Sequence, residues 1–355
     1  MLRALTPPLE TAPARRVQVA WQVWFDGLVE RTPIALADGV VVVVDHAGHS
    51  EVRRIDESGQ HRWQVALEGR VSGDPARTRG CLALPWDGVR VVGVTLESGA
   101  PTCAPLAVPG LVLHGGIAAL RGHVLARFAS AGPEAMPFLA IKDPSRHDTP
   151  PTLVPDPLGV AIEARFRATN HTCVLAGEDP AGFAIIAGLD LDSHRVRWSH
   201  RVEGCGLSHL WAAGGLVDVV LTDRLTSLDA RTGTRLTTRF EGMVLDAARI
   251  AGEALLVTLG HHEAPAERLL LAFDTMTEAP LGEHKGLLRL VGACSDECLV
   301  ADLDDRPTLL ELPSLLPIPI RDGADVVSPR LVAWSRHRAY VVGHDGHSLS
   351  AIDLG

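Results

Sequence analysis

Residues 216–236 read LVDVVLTDRLTSLDARTGTRL, and this stretch decides the fold. Two short runs rich in Val and Leu predict two strands joined by a hairpin. Asp229 and Gly233 then mark a turn, because an Asp side chain accepts hydrogen bonds from nearby backbone N–H groups and glycine tolerates a positive φ. The stretch therefore predicts strand, hairpin, strand, Asp-to-Gly turn and the start of another strand.

The same order of elements recurs along the chain. RRIDESGQHRW (53–63) and AGLDLDSHRVRW (187–198) each place an Asp before a short turn and a strand that begins near a Trp. In TSLDARTGTRLTTRF (226–240) we expect Leu236 to stand in the place of that Trp. A repeat of about 36–48 residues is typical of four-stranded blades, so the pattern predicts an all-β propeller.

Counting these units gives a single propeller of eight blades. A count of seven is the alternative, because the third and seventh units are the least regular. The seven complete units are 28–67, 68–108, 109–155, 156–203, 204–240, 241–284 and 285–320.

The last unit, 321–355, contains signals for three strands and ends where the other units continue to a fourth. VQVAWQVWF (17–25) matches the missing strand. We therefore expect the N-terminal strand to complete the last blade, which closes the ring and removes two exposed strand edges. The Pro- and Ala-rich residues 1–16 are expected to form a disordered tail ahead of a propeller domain at 17–355.

The unit resembles the PQQ-like (quinoprotein-like) propeller repeat, in which ALD-x-x-TG precedes a strand that opens with Trp. Residues 228–233, LDARTG, are the nearest match, and the other units are degraded copies. The resemblance implies that Trp21, Trp63 and Trp198 pack between adjacent blades. We expect Asp229 and Gly233 to shape the turn.

Two tryptophans fall outside this register. Trp24 follows the repeated Trp21 by three residues, and Trp86 lies in a different part of its unit. Large aromatic side chains at exposed positions are typical anchors of protein interfaces. We therefore expect Trp24 and Trp86 to be exposed residues that contact a protein partner.

Composition narrows the classes of function. The chain carries a formal net charge of −10 without a basic stripe, so nucleic-acid binding is not expected. No apolar run reaches the length of about 18 residues that spans a membrane, and no signal peptide is recognisable, so a cytoplasmic location is expected. Six cysteines in a chain of 355 residues, with only Cys294 and Cys298 near each other, are expected to be buried free thiols.

The sequence offers little catalytic chemistry. The resemblance extends to quinone- and Ca²⁺-dependent dehydrogenases, which carry adjacent cysteines, and no Cys-Cys dipeptide occurs here. The acidic stretch 301–308, ADLDDRPT, lacks the alternating ligands of a Ca²⁺ loop. No nucleophile elbow, Walker A or zinc-protease motif is present. We therefore expect a protein that is not an enzyme and holds no cofactor, with a quinone-dependent dehydrogenase as the remote alternative.

Histidine pairs are the main candidate for a ligand site. His46 and His49 lie in the first complete unit, and His344 and His347 lie in the last. Ring closure makes these blades neighbours, so four imidazoles would meet on one face and could bind a divalent metal. The alternative is that polar hairpin tips simply face solvent.

The local turns bear on this site. Asp345-Gly346 is expected to form a two-residue type I′ turn that pairs the flanking histidines across the hairpin, and Ala47-Gly48 a poorer version of it. A further pair, His261-His262, occurs at the same stage of the sixth unit.

The third unit carries a dense proline cluster within residues 128–159. Either its outer strand is irregular, since proline avoids central strands, or the segment is a protruding recognition loop. The prolines concerned are Pro144, Pro150, Pro151, Pro155 and Pro157.

Taken together, these features predict a monomeric, non-catalytic scaffold that mediates protein–protein interactions in a bacterial multiprotein assembly. The family resemblance extends to an outer-membrane assembly lipoprotein, a role against which the missing export and lipid signals argue. The alternative function is a propeller that binds a metal or small ligand through its histidine-rich hairpin tips.

Overall fold

The structure is a computed structural model of the chain. It describes residues 18–78, 80–102, 106–120, 122–130, 137–143, 149–159, 163–168, 171–202, 206–213, 215–239, 244–251, 254–260, 268–274, 277, 279–286, 288–302, 306–318 and 329–354. The expected tail at 1–16 lies outside these residues.

Eight antiparallel sheets of four strands each make up the described chain. Blades are numbered from the first complete sheet, and within each of the first seven the strands follow one another in sequence order. Blade one contains β2 (Ile34–Leu36), β3 (Gly39–Asp45), β4 (Ser50–Asp56) and β5 (His61–Leu67). Blade two contains β6 (Ala76–Arg77), β7 (Cys81–Trp86), β8 (Arg90–Thr95) and β9 (Leu106–Ala107). Blade three contains β10 (Leu111–Leu120), β11 (His123–Ser130), β12 (Pro137–Lys142) and β13 (Thr152–Pro155). Blade four contains β14 (Glu163–Ala168), β15 (Thr172–Glu178), β16 (Ala184–Asp190) and β17 (Arg195–Val202).

The second half of the ring repeats this arrangement and ends with a composite blade. Blade five contains β18 (Leu207–Ala213), β19 (Leu216–Leu221), β20 (Leu225–Asp229) and β21 (Arg235–Arg239). Blade six contains β22 (Val244–Ala251), β23 (Ala254–Gly260), β24 (Arg268–Asp274) and β25 (Pro280–Gly286). Blade seven contains β26 (Leu288–Ala293), β27 (Glu297–Asp302), β28 (Pro307–Glu311) and β29 (Pro317–Ile318). Blade eight contains β30 (Pro329–Trp334), β31 (Arg338–Gly343), β32 (Ser348–Asp353) and, outermost, β1 (Gln18–Trp24).

The predicted eight-bladed ring and its closure are confirmed. Strand β1 runs antiparallel to β32, from the pair Gln18 and Asp353 to the pair Trp24 and Ser348. Eight hydrophobic clusters each join two neighbouring blades, and the cluster at the closure packs Val42 of blade one against Tyr340 of blade eight. Since every junction has such a cluster, the ring has no open side.

Burial explains the strand compositions. The second strand of blade one, GVVVVVD, is buried along its whole length because both of its faces meet neighbouring blades. The outermost strand β1 instead alternates exposed and half-buried residues. Gln18, Ala20, Gln22 and Trp24 face solvent, while Trp21 and Val23 pack on the cluster shared with blade one, as a period of two requires.

Outer-strand tryptophans join consecutive blades. Each indole N–H donates a hydrogen bond to a backbone carbonyl in or next to the turn between the third and fourth strands of the next blade, and its ring packs on the blade interface. The pairs are Trp21 with Glu57 (2.8 Å), Trp63 with Leu96 (3.1 Å) and Trp198 with Ala230 (3.0 Å).

The turn that receives Trp198 shows why the repeat needs an Asp and a Gly. Asp229 Oδ1 accepts hydrogen bonds from the backbone N–H groups of Arg231 (3.0 Å) and Thr232 (2.7 Å). Gly233 has φ +71°, and a Cβ there would lie 2.5 Å from Cδ2 of Trp198. Asp229 therefore stabilises the turn by hydrogen bonds, and Gly233 leaves the space that the Trp198 indole occupies.

The placement of Leu236 is a correction. Trp198 follows a register shift in its outer strand and pairs with Gly188. In blade five Thr237 follows the same shift, and Leu236 is the bulged residue, 50% exposed. Thr237 rather than Leu236 stands in the place of Trp, because the bulge moves the alignment by one residue.

The described portion of the proline-rich part of blade three forms the outermost strand of its sheet, paired in regular register with β12. Pro155 ends β13, the outermost strand of its sheet, where a missing N–H costs little. Pro150, Pro151 and Pro157 flank this strand, and Pro144 lies outside the described residues. Among the described residues, no helix has the length and apolar character needed to cross a membrane.

Candidate functional site

The two histidine hairpins of blades one and eight flank the chain that joins these blades. We call residues 24–29 the seam segment. On its blade-eight side, Phe25 N donates to His347 O and Val29 N donates to Gly346 O, each at 2.7 Å. The seam segment is therefore tied to the hairpin between β31 and β32.

On its other side the seam segment is tied to blade one. Leu28 and Asp45 exchange two backbone hydrogen bonds of 2.9 and 2.8 Å. Gly27 approaches so closely that a Cβ there would lie 2.5 Å from Asp45 O and 3.0 Å from Cε1 of His46. A glycine at this position lets the chain pass directly beside the His46 ring.

The tip of blade one gathers three side chains with metal-binding atoms. The rings of His46 and His49 stack with centroids 4.5 Å apart and planes 7° apart. Their Nε2 atoms lie 3.5 and 3.8 Å from the two carboxylate oxygens of Glu51. His46 and Glu51 are largely buried, and His49 is 43% exposed. The group is thus half enclosed and reachable from solvent.

Polar neighbours hold the Glu51 carboxylate. Arg53 donates from Nε (2.9 Å) and Nη2 (2.5 Å) to Oε2, and Gln64 Nε2 donates to the same oxygen at 3.1 Å. Arg53 Nη2 also donates to Asp26 Oδ1 of the seam segment at 3.0 Å. The Arg53 guanidinium therefore donates hydrogen bonds to two carboxylates, one in β4 and one in the seam segment.

These contacts favour the ionised form of both carboxyl groups. Burial alone would raise the pKa of Glu51, but hydrogen bonding and charge from Arg53, with a smaller contribution from His46, lower it overall. The backbone N–H of Asp26 and the side chain of Arg53 lower the pKa of Asp26. At neutral pH the site thus holds two ionised carboxylates beside Arg53, and a second guanidinium, that of Arg70, donates to His46 O at 2.9 Å.

The hairpin of blade eight has a different turn from the one predicted. Gly346 N donates to Gly343 O at 2.9 Å, so His344 and Asp345 are the central residues of the turn. Gly346 follows them with φ +70°, while Asp345 keeps a negative φ. The predicted type I′ turn over Asp345-Gly346 is wrong, because that turn needs positive φ at both central residues.

The two hairpins contribute unequally. His347 Nδ1 lies 2.9 Å from Gly27 O, and His344 is exposed. In the part of the chain that the structure describes, the compact group of possible ligand atoms comprises His46, His49 and Glu51, all within 4.8 Å of one another. The four-histidine site stays a prediction, and His261-His262 lies outside the described residues.

Sequence reasoning missed Glu51, Arg53 and Asp26. Glu51 and Arg53 alternate in β4 with His49, which directly precedes that strand, so the period of two predicts that all three lie on one face of the sheet. That signal was present in HSEVR and could have identified Glu51 and Arg53. Asp26 carries no local signal, because it reaches Arg53 only when the ring closes.

The seam segment also carries the exposed aromatic residue predicted for this region. Trp24 is 62% exposed, and Asp26 and Leu28 are exposed as well. Phe25, which lies between them, is buried under blade one. Alternation of this kind gives the seam segment one outward face and one anchored face.

Trp86 requires a correction, because it is not an exposed contact residue. It is 7% exposed and belongs to the hydrophobic cluster between blades one and two. Its Nε1 donates to Asp87 Oδ2 at 2.6 Å, and the Arg90 guanidinium lies over its ring. The end of β7 turns the indole inward, so Trp86 is a structural residue.

The cysteines do not match the pattern expected of a quinone-dependent dehydrogenase. Cys81, Cys173, Cys294 and Cys298 are free thiols. Burial raises the pKa of Cys298 to about 12, and burial also raises that of Cys294. With no adjacent cysteines in the sequence, the feature that the resemblance links to a quinone is missing.

Comparison with known proteins gives the fold. No family model matches the chain, and no curated protein sequence matches it. BamB from Moraxella catarrhalis is 13% identical with a TM-score of 0.63, covering 95% of this chain and 97% of its own. The C-terminal WD40 domain of Sif2 is 11% identical with a TM-score of 0.65, covering 97% of this chain and 100% of its own.

An enzyme also appears among the similar structures. The quinohemoprotein alcohol dehydrogenase from Comamonas testosteroni is 12% identical with a TM-score of 0.64, covering 96% of this chain and 77% of its own. At these identities the likeness shows the propeller fold of quinoprotein-type structures and BamB, and function has to be argued from the site.

Proposed function

We propose that this chain is a non-catalytic scaffold that binds a protein partner through the seam segment, as one member of a bacterial multiprotein assembly. The observation that carries this proposal is Trp24, 62% exposed on the outer strand that closes the ring. An exposed Trp is costly to leave in water, and Trp is enriched among the residues that dominate the binding energy of protein interfaces.

The exposed neighbours of Trp24 support a binding surface that would fix the orientation of a partner. Asp26 and Leu28 follow it at alternate positions, and Leu28 is 36% exposed. An aromatic anchor, a carboxylate and an aliphatic side chain within one short segment offer a partner both apolar area and a polar contact that fixes orientation. The expected partner has an apolar pocket with a hydrogen-bond donor at its rim.

Rigidity is the second support. The seam segment is hydrogen-bonded to His347 and Gly346 on one side and to Asp45 on the other. Binding a segment that is already ordered costs less conformational entropy than binding a mobile loop. The closed ring thus presents Trp24 in a fixed position.

A cytoplasmic location is part of the proposal. Free thiols at Cys81, Cys173, Cys294 and Cys298 support it, because disulfides are rare in reducing compartments. The likeness to BamB and to a WD40 domain is consistent with an interaction role, although dehydrogenases share the fold.

Affinity purification from the native host tests the proposal. We expect the wild-type chain to recover a stoichiometric partner that is lost on Trp24→Ala and on Leu28→Ala. Leu236→Ala is the matched control, since Leu236 is 50% exposed on the outer strand of blade five. Its variant should retain the partner.

Two results would contradict the scaffold. One is recovery of the same proteins by wild type and by the Trp24→Ala variant at equal stoichiometry. The other is turnover of a substrate by the purified chain that survives Trp24→Ala.

A further inference from the structure

We propose that His46, His49 and Glu51 bind one divalent transition-metal ion, with Zn²⁺ as the reference ion, at the tip of blade one. Their possible ligand atoms all lie within 4.8 Å of one another. This site does not depend on the protein partner proposed for the seam segment.

The distances fit a site that closes on a metal. Bonds of about 2.0–2.2 Å in tetrahedral geometry place ligand atoms roughly 3.4 Å apart. His46 Nε2 lies 3.5 Å from Glu51 Oε2, and His49 Nε2 lies 3.8 Å from Glu51 Oε1, so each ring nitrogen is near that spacing from one oxygen of the carboxylate. The histidine rings are stacked and must turn so that their Nε2 lone pairs converge. Gly48, between them, has open space around it, which leaves the tip free to adjust.

His46 supplies an independent observation. Its Nε2 atom is buried and has no hydrogen-bond partner among the described residues. Buried polar atoms are nearly always satisfied, so an unsatisfied ring nitrogen beside a carboxylate points to a missing partner. A metal ion shared with Glu51 would satisfy it.

The surroundings prepare Glu51 as a ligand. Arg53 and Gln64 both bond to Oε2, which fixes the carboxylate and leaves Oε1 facing His49. Such outer contacts orient metal ligands in known sites. Arg53 lies against the carboxylates of Asp26 and Glu51, and Arg70 Nη2 donates to His46 O at 2.9 Å, so two carboxylates balance two guanidinium groups at the site and its affinity for a cation has to come from the ligand atoms themselves.

The donor set selects the class of metal. Two imidazoles and one carboxylate suit Zn²⁺, Ni²⁺ or Cu²⁺ rather than Ca²⁺ or Mg²⁺, which prefer oxygen ligands only. Three protein ligands leave a fourth position for water or for a group from another molecule.

Metal binding to the full chain, made without a histidine tag and stripped with a chelator, tests this site. Titration with ZnCl₂ followed by calorimetry should give one ion per chain. We expect His46→Ala/His49→Ala to abolish binding and Glu51→Gln to weaken it by more than about tenfold. His344→Ala, on the neighbouring hairpin, is the matched control and should bind as wild type does.

A second measurement needs no variant. The electron paramagnetic resonance spectrum of the wild-type chain with one equivalent of Cu²⁺ should show two nitrogen ligands. Binding that is unchanged by His46→Ala/His49→Ala, binding that is lost on His344→Ala, or a Cu²⁺ spectrum without nitrogen ligands would overturn the proposal. So would the absence of zinc binding by the wild-type chain.

Discussion

Two junctions between blades are packed in opposite ways. They are the junction between blades four and five and the junction between blades six and seven. At the first, Trp198 follows a register shift in the outer strand and fills the space against the turn of the next blade. At the second, Gly282 follows the same shift. A Cβ there would lie 2.6 Å from the carbonyl oxygens of Pro313 and Ser314. The space is filled by indole in one case and by the neighbour's backbone in the other.

This difference teaches that the repeat conserves a position rather than a residue. Where the outer strand supplies a Trp, the receiving turn makes room with a glycine such as Gly233. Where the outer strand has Gly282, the receiving turn moves in until its carbonyl groups touch the strand. The residue in the outer strand therefore packs well only against the turn that faces it in its own junction.

The largest expected effect is on the closure of the ring. Deletion of residues 18–24 removes Trp21 together with the whole outer strand of blade eight and exposes the apolar cluster beneath it. We expect loss of cooperative unfolding, or a melting temperature lowered by more than about 10 °C, in calorimetry. A truncated chain that melts like the full chain would show that β1 adds nothing to the fold.

The substitution Trp198→Ala is expected to have the next largest effect on stability. It removes a buried indole and its hydrogen bond to Ala230 O, at an expected cost of about 3–5 kcal/mol in the free energy of unfolding. Thr237→Ala, at the equivalent position in blade five, is the control and should change stability by less than about 1 kcal/mol. Urea unfolding measures both, and equal losses would mean that the position, and not the indole, sets the stability.

Gly282→Ala tests the opposite solution. The added methyl group would meet two backbone carbonyls at 2.6 Å, which cannot move as a side chain does. We expect a loss of about 2 kcal/mol. Gly286→Ala, in the same strand with its nearest neighbour at 3.6 Å, should be close to neutral in the same urea titration. Equal free energies of unfolding for the two alanine variants would mean that the backbone carbonyls do not restrict the space at Gly282.

The smallest effect concerns the turn that receives Trp21. Hydrogen bonds from Ser58 and Gln60 and the charge of Arg62 lower the pKa of Asp56 from 3.8 to about 2. Because the folded pKa lies below the unfolded one, this contribution is present above about pH 4 and is lost as the pH falls toward 2. The melting temperature of the Asp56→Asn variant should therefore fall less than that of the wild type when the pH is lowered between these values.

Glu57→Gln, an exposed neighbour in the same turn, is the control for that experiment and should follow the wild-type pH profile. An Asp56→Asn profile that parallels wild type would mean that the turn does not depend on the ionised carboxylate.

Much of the fold could be predicted because its signals are local. The alternation of apolar residues, the Asp-to-Gly turn at 229–233 and the recurring Trp each report on a short stretch of chain. Even the closure by β1 was predictable, since the last unit lacks the strand that the first residues supply. The bulge that exchanges Leu236 for Thr237 was not, because an inserted residue leaves no trace in composition.

The site was less predictable because it is built across the closure. The alternation of His49, Glu51 and Arg53 was legible, but the approach of Asp26 and Gly27 depends on how the seam segment lies between two blades. Trp86 was misjudged for a different reason: its place in the repeat did not reveal that its ring packs into the interface between blades one and two.

The closure by β1 is the central claim, because the partner surface and the metal site both lie at the seam it creates. Hydrogen–deuterium exchange of the full chain tests it directly. We predict that the amides of Gln18–Trp24 that face β32 exchange far more slowly than those of an unstructured peptide, while the alternate amides of this outermost strand, which point away from the sheet, exchange faster than those of Ser348–Asp353. Exchange of Gln18–Trp24 at the rate of an unstructured peptide, with Ser348–Asp353 still protected, would contradict the account.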